Sequence, residues 1–100
     1  MAKDQGFPPE LPPPSRGRHI ATVSHEGRFW DVFLEPEEDA RHSAAHRARL
    51  CFSPTDLNED EQPSRTATIL VEETYDDLIR RAHRLEDHML VGLLRSVLPE

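Results

Sequence analysis

One hundred residues with 19 acidic and 12 basic side chains carry a formal net charge of −7 with neutral histidines. This charge opposes general binding to a phosphate backbone, and the length predicts one domain with a small core that benefits from a second subunit. Cys51 is the single cysteine and excludes an intramolecular disulfide; without an apolar run typical of a signal peptide or membrane span, we expect a cytoplasmic protein.

The first 17 residues are rich in proline and poor in large apolar side chains. Five prolines lie between Pro8 and Pro14. Such a segment cannot bury enough apolar surface to offset the entropy of ordering it. We therefore expect a disordered Pro-rich tail over residues 1–17, followed by a single domain over residues 18–100.

A period-two pattern begins at Arg18 and predicts a β-hairpin. The run Arg18–His25 and the run Phe29–Leu34 flank Glu26-Gly27, a dipeptide typical of a tight turn. In the second run, Trp30, Val32 and Leu34 share one face of the strand. We expect this face, with Trp30, to belong to the main core.

The second strand's other face carries Phe29, Asp31 and Phe33, so one side of the predicted sheet is mixed in character.

The segment after Pro36 has acidic residues first and basic residues later, as a short helix prefers. On such a helix His42 and His46 would lie one turn apart, which raises the alternative of a metal site. Zinc needs three or four converging ligands, and the spacing matches no known ligand pattern, so we interpret both as exposed histidines.

Two further strands are predicted before the last quarter of the chain. Ala48–Ser53 alternates Leu50 and Phe52 with polar residues, and Thr66–Glu72 is rich in β-branched side chains, which favours a central position in the sheet. The acidic segment Thr55–Ser64 between them predicts a mobile loop.

The last quarter, Tyr75 to Leu98, keeps apolar residues at helical spacing for more than six turns. Thr74 fits the N-cap of a helix with Asp77 three residues later. Glu86 projects into the apolar stripe of a continuous helix, where an unpaired carboxylate would be costly. A break near this residue would carry the acid to solvent.

The predicted fold is α+β: a four-stranded antiparallel β-meander packed against a long C-terminal α-helix. Beyond Met89 the apolar face of that helix widens to include Val91, Leu94 and Leu98. A helix packed on one sheet needs one apolar stripe, so we expect these three residues to form a partner interface. The alternative is a kink that folds the last turns back onto the same core.

Two functions follow from this pattern. The first is a non-enzymatic protein-interaction or regulatory domain that self-associates or serves as a subunit of a larger assembly. The alternative is a single-stranded nucleic-acid-binding protein that uses the open sheet face, with Arg28, Phe29, Phe33 and Arg49 as phosphate and stacking groups. The arginines Arg80, Arg81 and Arg84 suggest an anion patch or ordinary ion pairs along a helix. No residue pattern indicates catalysis, a cofactor or a resident metal.

Overall fold

The computed structural model describes residues 17–37 and 45–99. In chain order the elements are β1 (Arg18–His25), β2 (Arg28–Pro36), β3 (His46–Pro54), β4 (Ser64–Arg65), β5 (Leu70–Glu72), α1 (Tyr75–His83) and α2 (Asp87–Val97). The predicted α+β class with an antiparallel sheet is confirmed. Apart from Gly17, the predicted tail lies outside the described residues, as does most of the segment predicted to be helical after Pro36.

The predicted hairpin is present, and β1 and β2 are joined by a two-residue turn. Glu26 and Gly27 have φ values of 53° and 79°, the positive range that tight hairpin turns require at both central residues. Gly27 adopts this conformation without steric cost, whereas a residue with a Cβ, such as Glu26, adopts it less readily. The turn closes on the pair His25 and Arg28.

The core lies on one face of the sheet. Val32 lies opposite Phe52, and Leu34 lies opposite Leu50, so the inward residues of β2 and β3 form adjacent rows. Trp30 is only 7% exposed and belongs to the same cluster, which confirms its predicted place in the main core. The helices contribute Leu78, Ala82, Leu90 and Leu94 to this core.

The fourth strand was predicted as one central element, and that prediction is wrong. β4 and β5 both pair with β3 and form an interrupted edge. Six residues, 65–70, lie opposite four, 48–51, so the edge contains two extra residues. Thr66 stabilises the interruption, since its hydroxyl accepts the backbone N–H of Leu50 at 3.0 Å. The irregularity lets the consecutive residues Ile69 and Leu70 both pack on the core.

β1 has a smaller irregularity of the same kind. The pairing with β2 shifts between His19 and Ala21, which makes Ile20 a bulged residue. Ile20 and Ala21 are both half-buried against the core. Strict alternation would have turned one of them outward, so the bulge again places two successive apolar residues on the same side.

The prediction of one long C-terminal helix is also wrong, because the chain forms two short helices. α1 begins after Thr74, whose side-chain oxygen accepts a hydrogen bond from the backbone N–H of Asp77 at 3.0 Å. This contact confirms the predicted N-cap. The helical path is interrupted between His83 and Asp87, and Glu86 is exposed at this break. A continuous helix would have directed this carboxylate toward the core, so the break avoids the cost of burying it.

Both helices cover the inner face of the sheet. α1 contacts β5, β3 and β1, whereas α2 contacts β1 and β4. The two helices therefore cross the sheet between its two edges. Neither is long and apolar enough to span a membrane.

The burial of Trp30 leads to a stability prediction. We expect Trp30→Ala to lower the free energy of unfolding by about 3–5 kcal/mol, a large share of the stability of a small domain. Trp30→Phe will cost less because the buried indole Nε1 has no hydrogen-bond partner among the described residues. Urea unfolding followed by circular dichroism measures both. Phe29→Ala is the matched control, since Phe29 is 60% exposed; equal losses for Trp30→Ala and Phe29→Ala would contradict the assignment of sheet faces.

Candidate interaction surfaces

The outer edge of β1 is a candidate surface because its backbone groups have no partner among residues 17–37 and 45–99. β1 pairs only with β2, and the described residues contribute no other backbone hydrogen bond to Arg18–His25. A two-residue hairpin closes on a hydrogen-bonded pair, and such pairs alternate along an antiparallel ladder. The N–H and C=O groups of Thr22 and Ser24 therefore point away from β2. They are available to another strand.

The middle of this edge also lacks the charges that normally protect an exposed strand. Ala21–His25 contains no Asp, Glu, Lys or Arg, and its pairing with β2 is regular. The opposite edge differs, because β4 and β5 have only two and three residues and are separated by the irregular segment. Short, interrupted strands prevent edge-to-edge pairing. β1 is therefore the edge that remains open to pairing.

The interface predicted on the last turns of the helix is not formed as expected. Leu94 is fully buried in the chain's own core, and Val91 and Leu98 are half-buried against it. The physical reason is the break before Asp87, which turns α2 so that its wide apolar face packs on the sheet. This is the alternative in which a kink folds the last turns back onto the same core. Whether the protein associates stays a prediction, but it no longer rests on Leu94.

The predicted nucleic-acid face is only partly assembled. Phe29, Phe33 and Arg49 lie on the outer face of the sheet, as their register positions require. Arg28 is on the opposite side, because neighbouring residues in a strand point to opposite faces and Arg28 shares the face of Trp30. The prediction that grouped Arg28 with Phe29 is wrong.

Arg28 instead forms an ion-pair cluster with the acidic loop. Its terminal nitrogens donate to the two carboxylate oxygens of Glu61 at 2.7 and 2.6 Å, and its Nε donates to Asp56 at 2.8 Å. The guanidinium carbon lies 5.4 Å from the centre of the Trp30 ring. Arg28 therefore links the loop to the core, and three of its five N–H donors already bond carboxylate oxygens.

The same cluster shifts the ionisation of Glu61. The hydrogen bond from Arg28 is the main cause and the backbone N–H of Asn58 is the second; together they lower the pKa of Glu61 from 4.5 to about 2. The hydrogen bonds that Arg28 donates to Glu61 and Asp56 raise the pKa of Arg28 in turn. These contacts anchor the acidic loop at Glu61, although its mobility stays a prediction.

Arg49 is held by a second carboxylate on the outer face. Its Nε donates to Glu35 at 2.9 Å, and the Nε of Arg65 donates to the same oxygen at 3.0 Å. Glu35 is buried, and its hydrogen bond is the main cause of the raised pKa of Arg65. Cys51 lies opposite Arg65 in the register and is buried on this face. Glu35 and Arg65 are the members of this cluster that were not predicted from the sequence, although the position of Glu35 beside Arg49 in adjacent strands is a signal for it.

A hydrogen-bonded cluster of His19, Thr22 and Asp31 lies on the outer face of the hairpin. The hydroxyl of Thr22 donates to Asp31 at 2.8 Å, and the Nε2 of His19 lies 3.0 Å from the same oxygen. The edge of the His19 ring packs against Phe33, with ring centres 5.4 Å apart. The exposed aromatic on this face is therefore Phe29, while Phe33 is partly covered by a neighbouring side chain.

The arginines of α1 line a shallow cavity of about 130 Å³ together with Glu72 and Asp77. Arg80 donates to Asp77 at 3.1 Å, one helical turn away, and Arg81 donates to Glu72 in β5 at 2.8 Å. Ion pairing, one of the two interpretations left open, explains these two arginines. The basic residues also suit the C-terminal turn of a helix, where the backbone dipole is negative.

Only one histidine of the pair considered for a metal site is described. His46 is exposed at the start of β3 and not in a helix, and His42 lies outside the described residues. Within residues 17–37 and 45–99, no three His, Cys, Asp or Glu side chains converge as metal ligands would.

No protein-family model, curated protein or solved structure matches this chain. No motif in the sequence marks the β1 edge, although the first strand of a meander is an edge by its topology.

The position of Leu94 predicts a different outcome from that of an interface residue. We expect Leu94→Glu to unfold the domain, because it places an unpaired carboxylate in the core at a cost of several kcal/mol. Met89→Glu is the matched control on the same helix, since Met89 is 45% exposed. Thermal unfolding of both variants tests this. A folded Leu94→Glu variant would contradict the packing of α2.

The ionisation of Glu61 predicts a pH dependence of stability. Its pKa is depressed in the folded state, so its contribution is complete above the unfolded value of 4.5 and is lost as the pH falls toward 2. We expect Glu61→Gln to destabilise the protein at pH 6 and to have a smaller effect at pH 3. Urea unfolding at both pH values measures this difference. Glu59→Gln, at an exposed position of the same loop, is the matched control; an equal effect of Glu61→Gln at both pH values would contradict the ion pair.

Proposed function

We propose that this chain is a non-enzymatic protein-interaction domain that binds a strand of another polypeptide along the outer edge of β1. The observation that supports this is the contrast between the two sheet edges. β1 presents outward backbone groups from a segment without protective charges, whereas β4 and β5 are short and interrupted. Added strands of this kind gain affinity from main-chain hydrogen bonds.

The size of the core is consistent with association. The domain after the tail has roughly 80 residues, and a chain of that length buries a smaller fraction of its unfolded surface than a larger domain does. An added strand would continue the hydrogen-bonded ladder beyond β1 and extend the sheet. The proposal does not depend on the outer-face residues grouped in the nucleic-acid alternative. On that face Arg49 is already paired with Glu35, and the net charge of −7 opposes a phosphate backbone.

The experiment uses Ser24, whose N–H points away from β2. Ser24→Pro removes this donor without removing a bond of the β1–β2 ladder, since proline is tolerated at the exposed side of an edge strand. Ser24→Ala removes only the hydroxyl and is the matched control. We expect the associated species of the full chain, measured by light scattering and in native complexes from its own cell, to be lost in Ser24→Pro and kept in Ser24→Ala.

Two results would overturn the proposal. One is a monomeric mass for the unmodified chain both in purified form and in its native complexes. The other is an associated species that is equally abundant in both variants, which would place the contact elsewhere. Circular dichroism of Ser24→Pro establishes that the variant keeps its fold before the masses are compared.

A further inference from the structure

The charges at the two ends of β1 differ in sign, and this bears on which strand the edge accepts. Arg18 begins β1 and is exposed, with no ion-pair partner among the described residues. Glu26 follows its last residue in the turn, where its side chain is 84% exposed. Between these ends, Ala21–His25 carries no formally charged side chain at neutral pH with neutral histidine.

We infer that the partner strand is β1 of a second copy of this chain, paired antiparallel across a two-fold axis. This inference rests on the proposed function of the β1 edge and names its partner. Antiparallel pairing places the basic end of each strand beside the acidic end of the other. Arg18 of each copy then approaches Glu26 of its partner, so the dimer contains two equivalent contacts between opposite charges.

The bulge at Ile20 limits how far the pairing extends. Residues Ala21–His25 are regular, and their centre is Val23. With Val23 on the two-fold axis, the outward groups of Thr22 face those of Ser24 in the partner, so each such pair exchanges its backbone hydrogen bonds. The end charges lie beyond this paired segment. The attraction between Arg18 of one copy and Glu26 of the other fixes the antiparallel orientation.

A parallel arrangement lacks this complementarity. It would place Arg18 beside the partner's equivalent arginine and Glu26 beside the equivalent glutamate, so both ends would repel. A two-fold dimer uses up both open edges in a single contact and joins the two sheets into one.

Charge reversal tests the inference with the full chain. In the dimers of Arg18→Glu and of Glu26→Arg, both contacts become repulsive. We expect the dimer dissociation constant of each variant to rise about tenfold at low salt, the sum of two exposed contacts of modest strength that change sign. The effect should diminish at high salt because exposed charges are screened.

A mixture of the two variants provides the decisive measurement. In a heterodimer of Arg18→Glu with Glu26→Arg, both contacts join opposite charges again, so the mixture should associate about as tightly as the unmodified chain. The variants Arg84→Glu and Glu59→Arg are matched controls, since they make the same charge changes at exposed positions away from β1. Sedimentation equilibrium of each protein alone and of each mixed pair measures the dissociation constants.

The outcomes separate this inference from the proposed function. A purified chain that stays monomeric, but joins a Ser24→Pro-sensitive complex in its own cell, would overturn the second copy as partner and leave the edge proposal intact. A dimer that Ser24→Pro dissociates, but that the mixed charge-reversed variants do not restore, would overturn the antiparallel arrangement. Restored association in the mixture, without restoration in the control mixture, supports it.

Discussion

The break between α1 and α2 is the constraint on which the rest of the structure depends. A continuous helix from Tyr75 to Val97 would be roughly 35 Å long, at about 1.5 Å per residue, and would overhang a small sheet. The break at Arg84–Glu86 turns the second half back, so that Leu90 and Leu94 complete the core with Leu78. Both helices then occupy the inner face. Among residues 17–37 and 45–99, neither helix covers the outer face of the sheet, and no strand other than β2 pairs with β1.

The two bulges follow from the same need to cover one face with apolar side chains. A regular strand directs every second residue inward, so consecutive apolar residues cannot both reach the core. At Ile20 and Ala21, and again at Ile69 and Leu70, an irregular pairing allows them to do so. The consequences differ for the two edges. The β4–β5 edge is interrupted along its middle, whereas the bulge in β1 lies near its start and leaves Ala21–His25 regular.

Local patterns were sufficient to predict the hairpin, the N-cap at Thr74 and the burial of Trp30, because each depends on neighbouring residues or on strict alternation. The separation of α1 from α2 depends on how far the sheet extends beneath the helix, which a helical pattern does not contain. The pairing of Arg28 with Glu61 joins positions 33 residues apart and depends on the loop path. The expectation that Leu94 faces away from the core was wrong because it assumed a continuous helix. The assignment of Arg28 to the outer face neglected the alternation of strand residues.

The distribution of charge along β1 is compatible with the proposed pairing of this acidic chain with itself. The net charge of −7 repels a second copy at a distance, but this repulsion decays over a Debye length of about 8 Å at physiological salt. At contact, the uncharged centre of β1 adds no repulsion, and the ends contribute Arg18 against Glu26. A nucleic acid would meet the same net charge without a complementary acidic and basic end. The proposed antiparallel pairing therefore needs a strand with the charge order of β1, and each copy of this chain carries one.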